Sequence, residues 1–445
     1  MKSKVFLCKK IVSNNEMDLV YSNHAIRVND GIISEIEHEN KINIHPDEQV
    51  YDFRNLILIP GFVQTHIHLC QTMFRGLADD LELLDWLKNR IFPYENAHNQ
   101  KSLRISAQLG IHELQTSGTT TLLDMGTLNH QEVVFEELIN SGMRGFSGNC
   151  MIDINELLPK FKKSTTDNLE TSYKLASAFH NSENGKIRFG FAPRFVLSCS
   201  ENLLKETKEM LKDFDGSLFH THSSENKNEI QVVREMTGME NIEYFNSIGI
   251  LSDRTILAHG IHVNESEIAM LQQSQTRISH CPSSNLKLAS GIANIPRYLN
   301  EGISVSLGAD GAPCNNNLNI FTEMRLAALI QKPLHGSTIM DSKTVFKLTT
   351  IEGAKALHLQ NEIGSIEVGK KADFVFMDLN NPDLSLSDDD ESIYSNIVYS
   401  ASKANVSHVF IDGKQVVENG ISKVYDAKKI FEEGKTELNK LLNRI

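Results

Sequence analysis

Short runs of alternating apolar and polar residues open the chain at Lys4–Leu7, Ala25–Val28 and Ile32–Ile36, the last two separated by Asn29-Asp30-Gly31. Period-two alternation predicts strands with one buried face, and the Asn-Asp-Gly break predicts a tight turn between antiparallel neighbours. The pattern returns at the far end. Ala372–Asp378 and Val406–Ile411 read as strands, Asp412-Gly413 as a hairpin turn and Asp426–Leu442 as a closing helix. Neither terminal segment can bury a face alone, so the two are expected to complete one small β-sandwich domain built from both chain termini, residues 1–58 with 359–445.

From about Ile59 to Leu357, apolar β-rich runs alternate with helical stretches. The strand candidates are Phe62–His68, Thr119–Met125, Arg144–Cys150, Ile187–Pro193, Leu218–His222, Thr255–His259, Arg277–Cys281 and Ser304–Ala309. Eight strand-then-helix units in roughly 300 residues match an α/β fold of the TIM-like (β/α)8 barrel type, here residues 59–358. A doubly wound open sheet is the runner-up, but no Gly-x-Gly-x-x-Gly follows the first strand. An acidic, serine-rich stretch, Asp383–Ser392, is expected to be a surface loop.

Composition narrows the partners. A 445-residue chain with 40% hydrophobic and 23% charged content is long enough for a large core. Its net charge, 44 − 57 = −13, repels phosphate backbones and anionic headgroups, so neither nucleic acid nor membrane is an expected partner. The six cysteines form no Cys-x-x-Cys pair, and Met1–Lys10 carries no signal-peptide pattern. A cytoplasmic protein with reduced thiols is therefore expected.

The first central strand ends His66-Ile67-His68, and alternation points both imidazoles to the same face. Alone this is weak: with 17 His, roughly 0.6 such pairs are expected by chance, and a second, His220-Thr221-His222, occurs on strand five. Recurrence at one structural position changes the odds. His66 and His68 end strand one, His222 ends strand five, His259 ends strand six and Asp310 ends strand eight. In a barrel these ends converge on the face where catalytic groups gather. Three imidazoles and one carboxylate suit a Zn site, with His259 a fourth ligand or a hydrogen-bonding neighbour. Glu225, just past strand five, can face that site without ligating it and is the candidate general acid/base. Glu229, one turn on, is expected to point into water.

Pro60-Gly61-Phe62-Val63-Gln64-Thr65-His66-Ile67-His68, His222-Ser223-Ser224-Glu225, Leu257-Ala258-His259-Gly260, His280-Cys281-Pro282-Ser283-Ser284-Asn285 and Leu307-Gly308-Ala309-Asp310-Gly311-Ala312-Pro313 together resemble the aminohydrolase and chlorohydrolase branch of the amidohydrolase superfamily. The resemblance spans nearly the whole chain. It implies one divalent metal per subunit, usually Zn and sometimes Fe, held by His66, His68, His222 and Asp310, with no carboxylated lysine. It further implies that a water of lowered pKa attacks a ring carbon bearing an exocyclic amine. Glu225 would carry a proton to the ring nitrogen, His259 orient the attacking oxygen, and Asp310 help protonate departing ammonia. Related enzymes are commonly homo-oligomers, which is the expectation here.

For the substrate, Phe74–Leu81 and Asp85–Glu95 resemble deaminases of adenosine, 5'-deoxyadenosine, methylthioadenosine and S-adenosylhomocysteine. In those enzymes the residues matching Trp86 and Glu95 contact the nucleoside, the glutamate taking the ribose hydroxyls. Arginines that would hold an amino-acid carboxylate are unmatched after strand three, where Asn149, Asp153 and Glu156 stand. A 5'-modified adenosine without a charged tail is therefore the first expectation. Arg194 within Ala192-Pro193-Arg194-Phe195, and Gln71, are closer to guanine deaminases and keep guanine, or a related oxo-purine or pterin, as the rival. An s-triazine chlorohydrolase comes third. A barrel that has lost catalysis and serves as a scaffold is a further alternative, disfavoured because every expected ligand and the shuttle carboxylate are present.

Overall fold

The computed structural model describes residues 3–387 and 389–445. Asp388 of the acidic stretch and the first two residues lie outside them. Among the described residues, contacts divide the chain into two compact units. One runs to Gln64 and adds His112–Thr121 and Asn319–Asp426; the other holds Thr65–Ile111, Leu122–Leu318 and the chain end from Ala427.

The first unit carries the terminal strands as one eight-stranded sheet among the described residues, in the order Ile421–Ser422, Lys414–Glu418, Val406–Ile411, Phe374–Met377, Gln49–Pro60, Lys4–Val12, Val20–Asn29 and Ile32–His38. Gln49–Pro60, absent from the expected strands, is the junction: it runs parallel to Lys4–Val12 and antiparallel to Phe374–Met377. Its first half alternates and its second half is a continuous apolar run, so no single period marks it. Phe53 stacks edge-on to Phe376 at 4.6 Å, and Phe6 lies on Tyr51 at 4.8 Å. These rings form a core with buried Phe374 and Phe410. Asp412 and Gly413 both take left-handed φ, 49° and 67°, as a primed hairpin turn requires.

Two expectations change. Part of the acidic stretch is helical: Asp390–Ser395 forms a turn and a half of helix, because the Asp389 side chain caps it by accepting from the Ser392 N–H at 2.7 Å and two acids fill its first turn. The closing helix, Ala427–Leu442, falls in the second unit and not with the terminal strands. Its Leu441 packs with Met73, Phe74, Tyr94 and Ile105, where unfilled apolar surface meets the helix's apolar stripe.

The parallel strands stand in the order Val305–Leu307, Arg277–His280, Thr255–His259, Leu218–Ser223, Ile187–Pro193, Arg144–Ser147, Thr119–Asp124, Phe62–His68 and Asp310–Gly311. The first and last are two pieces of one stretch, interrupted at Gly308-Ala309. The earlier piece pairs with Arg277–His280, and the later one pairs Asp310 with Ile67 and Gly311 with His68. The sheet thus returns on itself, giving the TIM-like barrel. Among the described residues, no helix is long and apolar enough to cross a membrane.

Gly308 is where the ring closes most tightly: a Cβ there would lie 2.7 Å from the His66 carbonyl oxygen and 2.8 Å from its nitrogen. Gly308→Ala should therefore destabilise the protein by about 1–3 kcal/mol, read as a lower urea midpoint. An unchanged midpoint would show that the closure is looser than these distances imply.

Candidate active site

His66, His68, His222 and Asp310 each direct one donor atom to a common point, all within 4.8 Å of one another. Asp310 Oδ1 is 3.3 Å from Nε2 of both His66 and His68, and Nε2 of His68 is 3.2 Å from that of His222. Donors 2.0–2.1 Å from a tetrahedral zinc are separated by about 3.3 Å, so the spacing fits a cation of that size. The chemistry fits as well. Nε2 of His66 is buried without a hydrogen-bond partner, and Nδ1 of His222 lies 2.7 Å from the Arg194 carbonyl, so its N–H donates there and leaves Nε2 as a lone pair. Burial lowers the pKa of all three imidazoles, those of His68 and His222 well below the usual value, keeping them neutral as ligation requires. Burial pushes Asp310 the other way, but the close approach of His66, followed by His259 and His68, holds it well below the usual carboxylate range.

The backbone is bent to present these groups. Ser224, His259 and Asp310, at the ends of the fifth, sixth and eighth strands, all have left-handed φ (54°, 72° and 60°). Non-glycine residues adopt this conformation at a cost of about 1–3 kcal/mol each, which surrounding structure must offset. His259 is held from behind, its Nδ1 2.9 Å from Asn285 Oδ1 in the short helix Pro282–Lys287. Its Nε2 then faces Glu225 Oε2 at 3.5 Å and Asp310 Oδ2 at 3.8 Å. Glu225 is buried. That burial, followed by the nearby Asp310 charge, raises its pKa well above the ordinary glutamate value, which suits a group that must both accept and return a proton.

Glu229 does not point into water. It is 1% exposed, and its Oε2 accepts from the N–H of Glu225 at 2.9 Å and of Asn226 at 3.3 Å, while Oε1 accepts from the Asn241 amide. The reason is a capping box: Asn226 caps the helix Lys227–Thr237, and a glutamate three residues on reaches back to the free N–H groups. The spacing Asn226-x-x-Glu229 was readable as that signature.

A cavity opens on these groups, lined also by Gln71, Leu83, Trp86, Leu87, Arg194 and Phe195. Three of the four expected substrate contacts thus reach it. Glu95 does not line it. Its carboxylate is buried and already engaged, accepting from Arg194 Nη1 at 2.8 Å, Arg194 Nη2 at 3.3 Å and Gln71 Nε2 at 2.7 Å. A buried carboxylate needs a cation beside it, and Arg194, itself 5.0 Å above the Phe92 ring, supplies one. In two residues that line the cavity, Trp86 Nε1–H and Gln71 Oε1 are buried polar atoms, a donor and an acceptor, with no hydrogen-bond partner among the described residues.

Glu229→Ala should lower kcat on the order of 10–100-fold by loosening Glu225, with metal content unchanged, and Glu229→Gln, which keeps one acceptor oxygen, should retain most activity. Equal turnover of the alanine variant and the wild type would remove that positioning role.

Residues 57–416 match the amidohydrolase family. The chain is 33% identical over 434 residues, 97% of each protein, to a 5-methylthioadenosine/S-adenosylhomocysteine deaminase of Bacillus cytotoxicus. It is 36% identical over 410 residues, 92% of each, to a 5'-deoxyadenosine deaminase of Methanothermobacter thermautotrophicus. Among solved structures it resembles a zinc-bound adenosine deaminase of Xanthomonas campestris, with TM-score 0.92, 25% identity and 99% of each chain covered. With this likeness over nearly its full length and the donor set in place, the chain belongs to the amidohydrolase family.

Proposed function

We propose that the protein is a metal-dependent hydrolytic deaminase of a 5'-modified adenosine without a charged tail, 5'-deoxyadenosine or methylthioadenosine, giving the inosine analogue and ammonia. The observation that carries this reading is a buried, protonatable Glu225 beside three neutral imidazoles and an ionised Asp310, in a chain similar to deaminases of those nucleosides. His66, His68, His222 and Asp310 would hold one divalent cation, Zn in first place, which when bound makes water a nucleophile at neutral pH. Glu225 takes a proton from the attacking water and delivers it to the adjacent ring nitrogen as the ring carbon gains oxygen. His259 holds the incoming oxygen by a hydrogen bond. Asp310 assists proton transfer to the exocyclic nitrogen, whose bond to carbon breaks to release ammonia. The apolar wall of Leu83, Trp86 and Leu87 would hold the purine, with the Trp86 N–H available to a ring or sugar acceptor.

A second reading, deamination of guanine or a related oxo-purine, is favoured by one observation: Glu95, which would take ribose hydroxyls, is already bonded to Arg194 and Gln71.

The zinc-loaded protein incubated with 5'-deoxyadenosine, methylthioadenosine and guanine separates the two. The first two should release ammonia with the adenine-to-hypoxanthine absorbance change; turnover of guanine alone would reverse the order. Glu225→Gln should cut kcat by about 10²–10⁴ without altering metal content. Chelation should abolish turnover and added divalent metal restore it; full activity in a metal-free preparation would end the metal-dependent reading.

A further inference from the structure

His220 enters the sequence only as part of a repeated His-x-His pattern, two residues before His222 on the strand Leu218–Ser223. Residues two apart on a strand share a face, so its ring lies one pleat deeper than His222 in the barrel interior. There it meets a ligand of the candidate metal centre. Nε2 of His220 is 2.8 Å from Nδ1 of His66; both side chains are fully buried, and their rings cross at 85° with centroids 4.9 Å apart.

A neutral imidazole carries hydrogen on one nitrogen only. Two arrangements satisfy the 2.8 Å contact. If His220 donates from Nε2, the hydrogen of neutral His66 sits on its Nε2, the atom 3.3 Å from Asp310 Oδ1, and that face is closed to a cation. If His66 donates from Nδ1, its Nε2 is a bare lone pair aimed at the donor cluster, and His220 carries its own hydrogen on Nδ1. Only the second state binds a metal. Second-layer partners that fix a ligating histidine in this way are commonly carboxylates or carbonyls. Here another imidazole occupies the position.

We propose that His220 is a positioning residue for the metal: its Nε2 lone pair accepts the Nδ1–H of His66, selects the tautomer that leaves Nε2 of His66 free, and locks that ring toward the cation. The inference rests on reading the four donors as a metal centre, and the test separates the two. In a zinc competition against a chromophoric chelator, the wild type should bind stoichiometrically, His220→Leu should lose about 10–100-fold in affinity, and His220→Gln, whose amide oxygen can accept the same hydrogen, should recover most of it. A folded His220→Leu protein with wild-type affinity would overturn the proposal, whereas a wild type that binds no zinc overturns the underlying metal reading. A second measurement needs no variant. Long-range proton–nitrogen NMR spectra of zinc-loaded protein labelled at the histidine nitrogens should show hydrogen on Nδ1 of both His66 and His220. Hydrogen on Nε2 of His220 would refute the assignment.

Discussion

The site depends on lone pairs held open on buried side chains. An imidazole in bulk solvent can exchange tautomers and rotate; a buried one keeps whichever tautomer its neighbours enforce. His222 is fixed by the Arg194 carbonyl, and His259 by Asn285. These fixed rings, with ionised Asp310, make the strand ends a ready receptor for a cation rather than a loose cluster of polar groups. The low local dielectric that makes unpaired donors costly also strengthens their attraction to a bound charge.

The same burial governs the proton chemistry. Glu225 sits close to Asp310, and two carboxylates in one dry site push their proton affinities apart. Asp310 stays charged because imidazoles surround it, whereas Glu225 has fewer compensating partners. The backbone of Glu225 is tied down by Glu229, so its carboxylate is presented to His259 Nε2 from a fixed position. A separate group of side chains, the buried Arg194–Glu95–Gln71 network, is bonded largely within the protein.

Much of this was legible in the sequence. The strands that matter are fully buried or strictly alternating, so their ends, and the His and Asp residues on them, could be placed before any coordinates. Glu229 was misread because charge alone suggested solvent, although its spacing from Asn226 carried the capping signature. Gln49–Pro60 escaped because its two halves have different periods, one face packing against the aromatic core and the rest passing through a fully buried region. The position of the closing helix could not be read, since an apolar stripe specifies that a partner exists and not which surface provides it. The engagement of Glu95 was equally hidden: residues 71, 95 and 194 are far apart in the chain, and only tertiary structure brings their charges together. His220 lay in view but had no meaning until His66 stood beside it.

The interruption in the eighth strand has a bearing on biogenesis. Asp310 pairs with Ile67 across the seam of the ring, so the only carboxylate among the four donors is also the last to leave the ribosome. A nascent chain carries three imidazoles long before it can offer the anionic ligand. An ion held by these four donors would couple its own capture to completion of the cylinder, stabilising the closed ring by an amount that grows with its free concentration. In a cell starved of that ion, newly made protein would lose a contribution to seam closure as well as its catalytic centre.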